Sequence, residues 1–501
     1  MRELHSEYAL QTLKARSRNQ ALLFLALFSS LAPAYAQTRS AVSANPQASV
    51  SQLLHRLKTD PQGLNEDQVA ETVLRESPDL KARREQVLAA AAAVDQARIA
   101  FLPRLTTSGT VGIASRIQTG ELGNLVAAPG APAGPLAPST PLVNAPISFP
   151  LSPGHRYALQ ASLNVPLSDY LLRTRQALSG ARKNEDSAEV NRQASTLNTA
   201  VEARVLFYNW VRAQLQTLVA EQTLRQSEDH LHDVRNAFDA EQASRADVLS
   251  SESQRARSEL LLERAKDLAE FAEQQLRIAM HDAAGSPYQV GQNVLTTDPI
   301  FPHAEDLASL QREGVQARLE PRALERTSDA LKEQAKVANA GLFPRLDGIA
   351  NVLYANPNTS IFPLRDTFTT TWLVGLQATW EVTGIADAAA ARRGLEARAA
   401  ETEARRSATE DAIRTEIAQS WQAVEDARAA ARWSALSLVS SEEAYRVRRE
   451  LFQNGRASNV ELTDAETDLT ASRFSVVDAQ IDLRIAAIRL AHATGRDVRG
   501  R

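Results

Sequence analysis

The chain repeats one long plan, and the length of that period excludes most folds. Leu159-Gln160-Ala161-Ser162-Leu163-Asn164-Val165 returns as Leu376-Gln377-Ala378-Thr379-Trp380-Glu381-Val382, shifted by 217 residues (159 to 376). Phe238-Asp239-Ala240-Glu241-Gln242-Ala243-Ser244 returns as Phe452-Gln453-Asn454-Gly455-Arg456-Ala457-Ser458, shifted by 214 (238 to 452). Phe101-Leu102-Pro103-Arg104-Leu105 is echoed by Leu342-Phe343-Pro344-Arg345-Leu346. Solenoid repeats have periods of about 20–50 residues. These are instead two half-molecules, each unable to close a structure alone.

The stretches between the landmarks are helical and thin in large apolar residues. Aromatics make up only 5% of the 501 residues, and alanine fills many inward positions. That composition suits long helices packed side by side rather than several separate cores. Charges of both signs alternate along the helices, as on solvated faces. The net charge of −4 leaves no basic footprint for nucleic acid. Cysteine is absent, which excludes disulfides, thiolate metal sites, a cysteine nucleophile and an N-terminal lipid-modified cysteine.

Residues 1–36 read as a secretory signal. Lys14, Arg16 and Arg18 precede the apolar run Ala21 to Phe28, and Ala34-Tyr35-Ala36 fits a small-x-small cleavage site. The apolar run is too short to span a bilayer. No later segment suits a membrane helix, so passage through a membrane would have to use strands.

Residues 37–65 read as an N-terminal segment, extended or loosely helical. A first repeat is expected over 66–285. Ser77-Pro78 is an N-cap followed by proline at the first helical position, opening a helix that Pro103 stops. Leu105 to Ser115 reads as a strand and 120–156 as a long loop. Tyr157, Leu159, Ala161, Leu163 and Val165 alternate with polar residues along a second strand, as where one face meets lipid. A helix without a credible break apart from Gly180 follows from Asp169 to Ala237. The turn Ala240 to Ala243 and a returning helix from Arg245 to His281 complete a hairpin. A linker covers 286–302. The second repeat, 303–495, has helix Pro321 to Gly341, a strand with Leu346, Gly348, Ala350, Val352 and Tyr354, a loop to Thr367 and a strand Phe368 to Val382. A hairpin of Ile385–Phe452 and Val460–Ala493 turns at Gly455. Residues 496–501 read as a polar tail.

The expected fold is therefore mostly α with a small β part, a duplicated unit of two strands plus a long antiparallel hairpin. Four strands cannot enclose a lumen, since small barrels need about eight. An open edge in lipid would strand backbone groups without partners. Three chains of four strands form the simplest closed assembly, with the helices closing into a matching tube. Phe149, Tyr157, Tyr354, Phe362, Phe368 and Trp372 cluster near strand ends like an interfacial girdle.

This order of landmarks resembles the TolC family of bacterial outer-membrane efflux proteins, over roughly residues 50 to 495. The resemblance implies a homotrimer whose shared β-barrel sits in outer-membrane lipid and continues as an α-helical barrel across the periplasm. It further implies a periplasmic adaptor and an inner-membrane transporter at the far end. Glu461 and Asp464 match the family's acidic constriction pair, with Glu in the first place. At i and i+3 they share a helix face, and threefold symmetry would make a ring attracting cations. Helix-start acids favoured by the macrodipole are the alternative. Asp247 matches a polar gating position less closely. The family's gating arginine falls at Ala457, one residue past Arg456. Gly455, Arg456 and Ala457, with Ala243 and Ser244 in the first tip, resemble the surface on which adaptors dock; Gly455 as a plain C-cap is equally compatible.

Enzyme chemistry has little support, and no cofactor is expected. The histidines are scattered, and His230 and His232, two apart on one helix, make a poor metal pair. The function expected is a passive exit duct for small molecules in a tripartite efflux or type I secretion system. A non-pore periplasmic coiled-coil scaffold or an adaptor protein is the alternative.

Overall fold

The computed structural model describes residues 63–113, 154–283, 287–291, 306–362 and 364–499, with short pieces at 124–127 and 137–146 and the single residues 115, 135 and 285. The signal segment, Phe149 and most of 37–65 lie outside the described residues. Helix α1 (Glu66–Glu76) opens on a capping box between Asn65 and Gln68. Helix α2 (Pro78–Ile99) opens on Ser77, whose hydroxyl accepts from the Leu80 N–H, with Pro78 in the first turn. Strands β1 (Arg104–Ile113) and β4 (His155–Val165) follow, separated by β2 (Asn124–Ala127) and β3 (Val143–Pro146). Then come α3 (Asp169–Leu172), α4 (Thr174–Asp239) and α5 (Arg245–Met280). The second half comprises α6 (Leu307–Ala317), α7 (Glu320–Asn339), β5 (Arg345–Asn356), β6 (Thr369–Thr379), α8 (Gly384–Gln453), α9 (Asn459–Ala493) and α10 (Arg496–Arg499).

Several expectations need correction. The segment 120–156 is not all loop, because β2 and β3 pair antiparallel within it. The helix expected from Asp169 breaks at Arg173 (φ −125°, ψ −52°), and Thr174 restarts it with its hydroxyl donating to the Asp169 carbonyl at 2.8 Å. Gly180 is no break. It lets α7 approach, since a Cβ there would stand 3.3 Å from the Cβ of Glu333. The linker is anchored at its start, where Val290 bridges Leu64 in parallel. Helices α1 and α6, of 11 residues each, were not expected, although apolar residues recur at helical spacing in both, as Val69, Ala70 and Val73 do in α1. The polar tail begins with the short helix α10.

The four long strands form one antiparallel sheet in the order β1-β4-β5-β6. Its register gathers apolar residues from all four on one face: Leu105 opposite Leu163, Val111 opposite Tyr157, Leu159 opposite Tyr354, and Val352 opposite Trp372. This face is uncovered, with Val111 79%, Trp372 74% and Leu376 70% exposed. The other face carries Thr106, Ser108, Gln160, Ser162, Asn351 and Gln377. At the sheet end remote from the helices, Phe368 stacks on Tyr354 at 5.1 Å and tilts against Tyr157 at 6.0 Å. At the helix end stand the exposed Phe343 and Trp380. Strands of 10–12 residues therefore carry aromatics at both ends.

Helices α4 and α8, with 66 and 70 residues, are each about 100 Å long at ~1.5 Å per residue. Towards the sheet, α7 packs between α4 and α8; beyond it, α9 packs against α4 and α8, and α5 lies on the other side of α4. The main core is a cluster of Phe207, Trp210, Val211, Leu276, Leu438 and Ile481, closed by Val69 and Val290. The flanking helices keep exposed apolar rows: Leu249, Leu260, Phe271 and Ile278 on α5, and Trp433, Leu436 and Val447 on α8. Helix α6 packs against α8 through Gly314, where a Cβ would meet Ile417 Cδ1 at 2.4 Å and the Ala493 carbonyl at 2.9 Å. Gly314→Val should therefore overpack this contact and cost about 1–3 kcal/mol; a lower denaturation midpoint in guanidinium, with the helical circular dichroism unchanged beforehand, is the expected reading.

Candidate functional site at the hairpin tips

The two helix turns farthest from the sheet are built alike. In the first, α4 ends at Asp239, and the Gln242 N–H donates to the Ala237 carbonyl at 2.8 Å. In the second, α8 ends at Gln453, and the Arg456 N–H donates to the Leu451 carbonyl at 2.8 Å. Each turn needs one left-handed residue. Gly455 supplies it at φ 70°, and Glu241 supplies it at φ 58° despite its side chain. Gly455 thus makes the turn, and Arg456 beside it is exposed while Ala243 and Ala457 are half-buried.

The returning helices start alike as well. Ser244 caps α5 by accepting from the Asp247 N–H, while Asp247 Oδ2 accepts from the Ser244 N–H at 2.9 Å. Ser458 caps α9 in the same way with Glu461, whose Oε2 accepts from the Ser458 N–H at 2.9 Å. Asp247 and Glu461 therefore hold matching third positions of two capping boxes. Glu461 also pairs with Arg448 on α8 at 2.6 Å. The Ser458 N–H, then its hydroxyl and Arg448, hold the Glu461 carboxyl below its ordinary value. The Ser244 hydroxyl and N–H do the same for Asp247.

Asp464 stands one turn along α9 and is exposed. Together with Arg448, Glu461, Asp468 and Ser441 it lines a cavity of about 420 Å³ between α8 and α9. The structure thus brings Glu461 and Asp464 to one concave surface, and it places Asp247 on the neighbouring hairpin. Asp247 is joined to α9 through its carbonyl, which accepts from Asn459 Nδ2 at 3.4 Å.

Sequence reasoning missed the buried polar cluster behind these acids. His230 on α4 is 3% exposed; its Nδ1 lies 2.9 Å from Glu466 Oε2 and its Nε2 2.9 Å from Asn459 Oδ1. His232, by contrast, is exposed. The available signal was spacing: Thr223, Ser227, His230 and Val234 follow a four-three-four rhythm, so His230 falls on the inward stripe of α4.

A family model for outer membrane efflux proteins matches residues 69–280 and 316–496, one segment in each half. The chain belongs to the outer membrane efflux protein family. Solved structures share the fold at low identity. The outer-membrane channel OprN is 19% identical with a TM-score of 0.69, over 93% of this chain and 98% of that one. CusC is 16% identical with a TM-score of 0.70, over 93% of this chain and 100% of that one. The MtrE outer membrane channel of Neisseria gonorrhoeae in its open state is 16% identical with a TM-score of 0.67, over 86% of this chain and 88% of that one. No curated protein matches in sequence.

Because both capping carboxyls are depressed in the folded state, the stability they contribute is present above their unfolded values and is lost as pH falls through the folded ones. The protection factors of amides at the start of α9, taken relative to intrinsic exchange at each pH, should therefore fall on acidification below the ordinary Glu value of 4.5. In Ser458→Ala that protection should be low already at neutral pH and should change less with acid.

Proposed function

We propose that this chain is the outer-membrane exit duct of a tripartite efflux or type I secretion system. One observation carries the reading: an uncovered apolar face, continuous across four strands, on a sheet whose outer strands β1 and β6 each have one unpaired edge among the described strands. Neighbours in the sheet are antiparallel throughout, so β1 and β6 run in opposite directions. The β6 edge of one copy can therefore pair antiparallel with the β1 edge of the next, a head-to-tail contact that closes as a ring. Three copies of four strands give a barrel wide enough for an aqueous lumen. The exposed apolar rows on α5 and α8 lie on the corresponding flanks of the helical layer and would close it in the same sense.

In this arrangement the duct carries small molecules passively and performs no catalytic step of its own. Energy comes from an inner-membrane transporter through a periplasmic adaptor that seats on the tips, around Ala243, Ser244, Gly455, Arg456 and Ala457. Glu461, Asp464 and Asp247 set the periplasmic constriction. Asp464 has the stronger claim as the ring-forming acid, since capping and Arg448 occupy Glu461. The outer-membrane channels OprN and MtrE share this fold, in keeping with the role.

Reconstitution into planar bilayers tests the reading. The protein should fractionate with the outer membrane and form cation-preferring channels; recovery as a soluble periplasmic monomer would overturn it. Glu461→Ala with Asp464→Ala should weaken block by multivalent cations, and unchanged block would place the constriction elsewhere. Val374 lies mid-strand on the apolar face, so Val374→Arg should cost about 2–4 kcal/mol in lipid and deplete the assembled, heat-resistant oligomer on gels. Gln377→Arg, on the opposite face, should leave the oligomer intact.

A further inference from the structure

The four long strands carry few formal charges, and all of them lie on one face. Arg104, Arg156, Arg345 and Asp347 are the only Asp, Glu, Lys or Arg residues in these strands. The register places each on the polar face: Arg104 opposite Asn164, Arg156 opposite Gly112, Arg345 opposite Thr379 and Asp347 opposite Gln377. Three of the four are arginine, in a chain whose 60 acids outnumber its 56 Lys and Arg residues. The segments that join the strands do not redress the balance, since Arg116 is offset by Glu121 and Arg365 by Asp366.

One of the arginines is already neutralised. Arg345 Nε lies 3.0 Å from Asp347 Oδ1 and 3.6 Å from Asp169 Oδ2, and Arg173 holds the other Asp169 oxygen at 3.7 Å. Asp347 is only 6% exposed, so its charge is spent inside this network. Glu381, the next acid at the helix end of the sheet, lays its carboxylate over the start of α8. Its Oε2 lies 3.4 Å from where a Gly384 Cβ would stand, at the positive end of the helix dipole. Arg104 and Arg156 are both exposed, and neither has an ion pair or a side-chain hydrogen bond among the described residues. Nor do they fold back onto their own sheet. Asn164, across from Arg104, keeps its Oδ1 without a donor. A Cβ at Gly112, across from Arg156, would meet nothing within 4 Å.

In the closed barrel this polar face lines the lumen while the apolar face meets lipid. Arg156 is level with Gly112, eight residues along β1 from Arg104, so the two arginines stand about 27 Å apart, one near each end of the sheet. Threefold symmetry turns them into two rings of three guanidiniums. Arginine stays charged at any working pH and presents a planar fork of donors that fits phosphate and carboxylate. Like charges on a wall backed by lipid focus their field into the water between them. A monovalent anion touches one guanidinium at a time. An ion with several negative groups can engage two or three together, and each later contact is intramolecular.

We propose that the polar face of the sheet is a binding site for multivalent oxyanions, molecules bearing several phosphate, sulfate or carboxylate groups, held by Arg104 and Arg156 of each copy. The ring arrangement rests on the duct reading above; the two unpaired arginines on one sheet face do not. The ends of the duct then carry opposite signs. The narrow acidic tips set the preference among small ions, whereas the wider basic barrel decides where a polyanion rests. An acidic molecule that the partners drive past the tips is drawn onward to the sheet, so the cargo this field favours is anionic.

Inositol hexakisphosphate is the probe, used with the full-length protein in two ways: equilibrium dialysis in detergent, and block of current in planar bilayers at low salt, where screening is weak. Wild type should bind it and lose current. Arg104→Gln with Arg156→Gln should weaken both effects by at least about tenfold and make the open channel more cation-preferring, with the heat-resistant oligomer retained on gels. Were that double variant to lose its oligomer, Arg156→Gln alone, at the sheet end remote from the helices, should show the same loss in smaller measure. Glu461→Ala with Asp464→Ala should leave binding intact, which separates this site from the tips. Binding that is absent from wild type, or equal in wild type and the arginine variants, would overturn the site. If channels form and the arginine variants are blocked like wild type, the site fails and the duct stands. If no channels form while binding still depends on the two arginines, the duct fails and the site stands.

Discussion

Backbone amides and carbonyls at a sheet edge need partners, and apolar side chains on a sheet face need a cover. The β1-β4-β5-β6 sheet offers neither within one chain. Its outer strands end in open hydrogen-bonding edges, and its apolar face, from Leu105 to Leu376, is bare. Water would penalise both features. Lipid accepts the face but forbids the edges. Only closure with further copies removes the edges, and the antiparallel sense of β1 and β6 makes that closure continuous. The placement of every helix follows, because each strand pair runs directly into a rod or out of one.

The rods solve a different problem. Helices about 100 Å long cannot be buried in one core, so cohesion is divided along their length. Large aromatics concentrate at one level, where Phe207, Tyr208 and Trp210 meet α1, α5 and α9. Elsewhere small residues allow close approach, as at Gly180 and Gly314. Polar pairs, Arg212 with Asp482 and Gln216 with Asp478, are interleaved with this core where α4 meets α9. Apolar contacts tolerate sliding, whereas paired donors and acceptors fix register.

The duplication shows how symmetry was kept for folding and broken for use. Both tips have the same left-handed turn and the same capping box, down to the third-position acid. Glu241 occupies a conformation that Gly455 adopts more easily, so the second turn is the less strained of the two. The asymmetric features gather in the second hairpin and its contact with the first: Arg448 against Glu461, the acid-lined cavity beside Asp464, and the cluster around His230.

Much of this was legible beforehand. Period-two alternation in β4 and β5 revealed which residues share a face, because strand geometry leaves no other choice. Long helices bounded by Pro103, Pro344 and Gly455 announced their ends through local stereochemistry. The duplication alone implied paired hairpins of matching length. What escaped were pieces whose structure depends on contact rather than on local preference. Helices α1 and α6 are short pieces whose apolar stripes are covered only by the long helices, and the β2–β3 pair is masked by Pro, Ala and Gly. Arg173 breaks a helix that its sequence would continue. The site divides in the same way. Ser458 and Glu461 are readable as a cap from three-residue spacing, but the union of His230, Glu466, Asn459 and Ser251 spans more than two hundred residues. Local sequence determined the elements, their ends and their faces, since backbone sterics and hydrophobic period act over a few residues. Only the packed structure decided which buried polar groups meet, since that depends on the register of helices far apart in the chain.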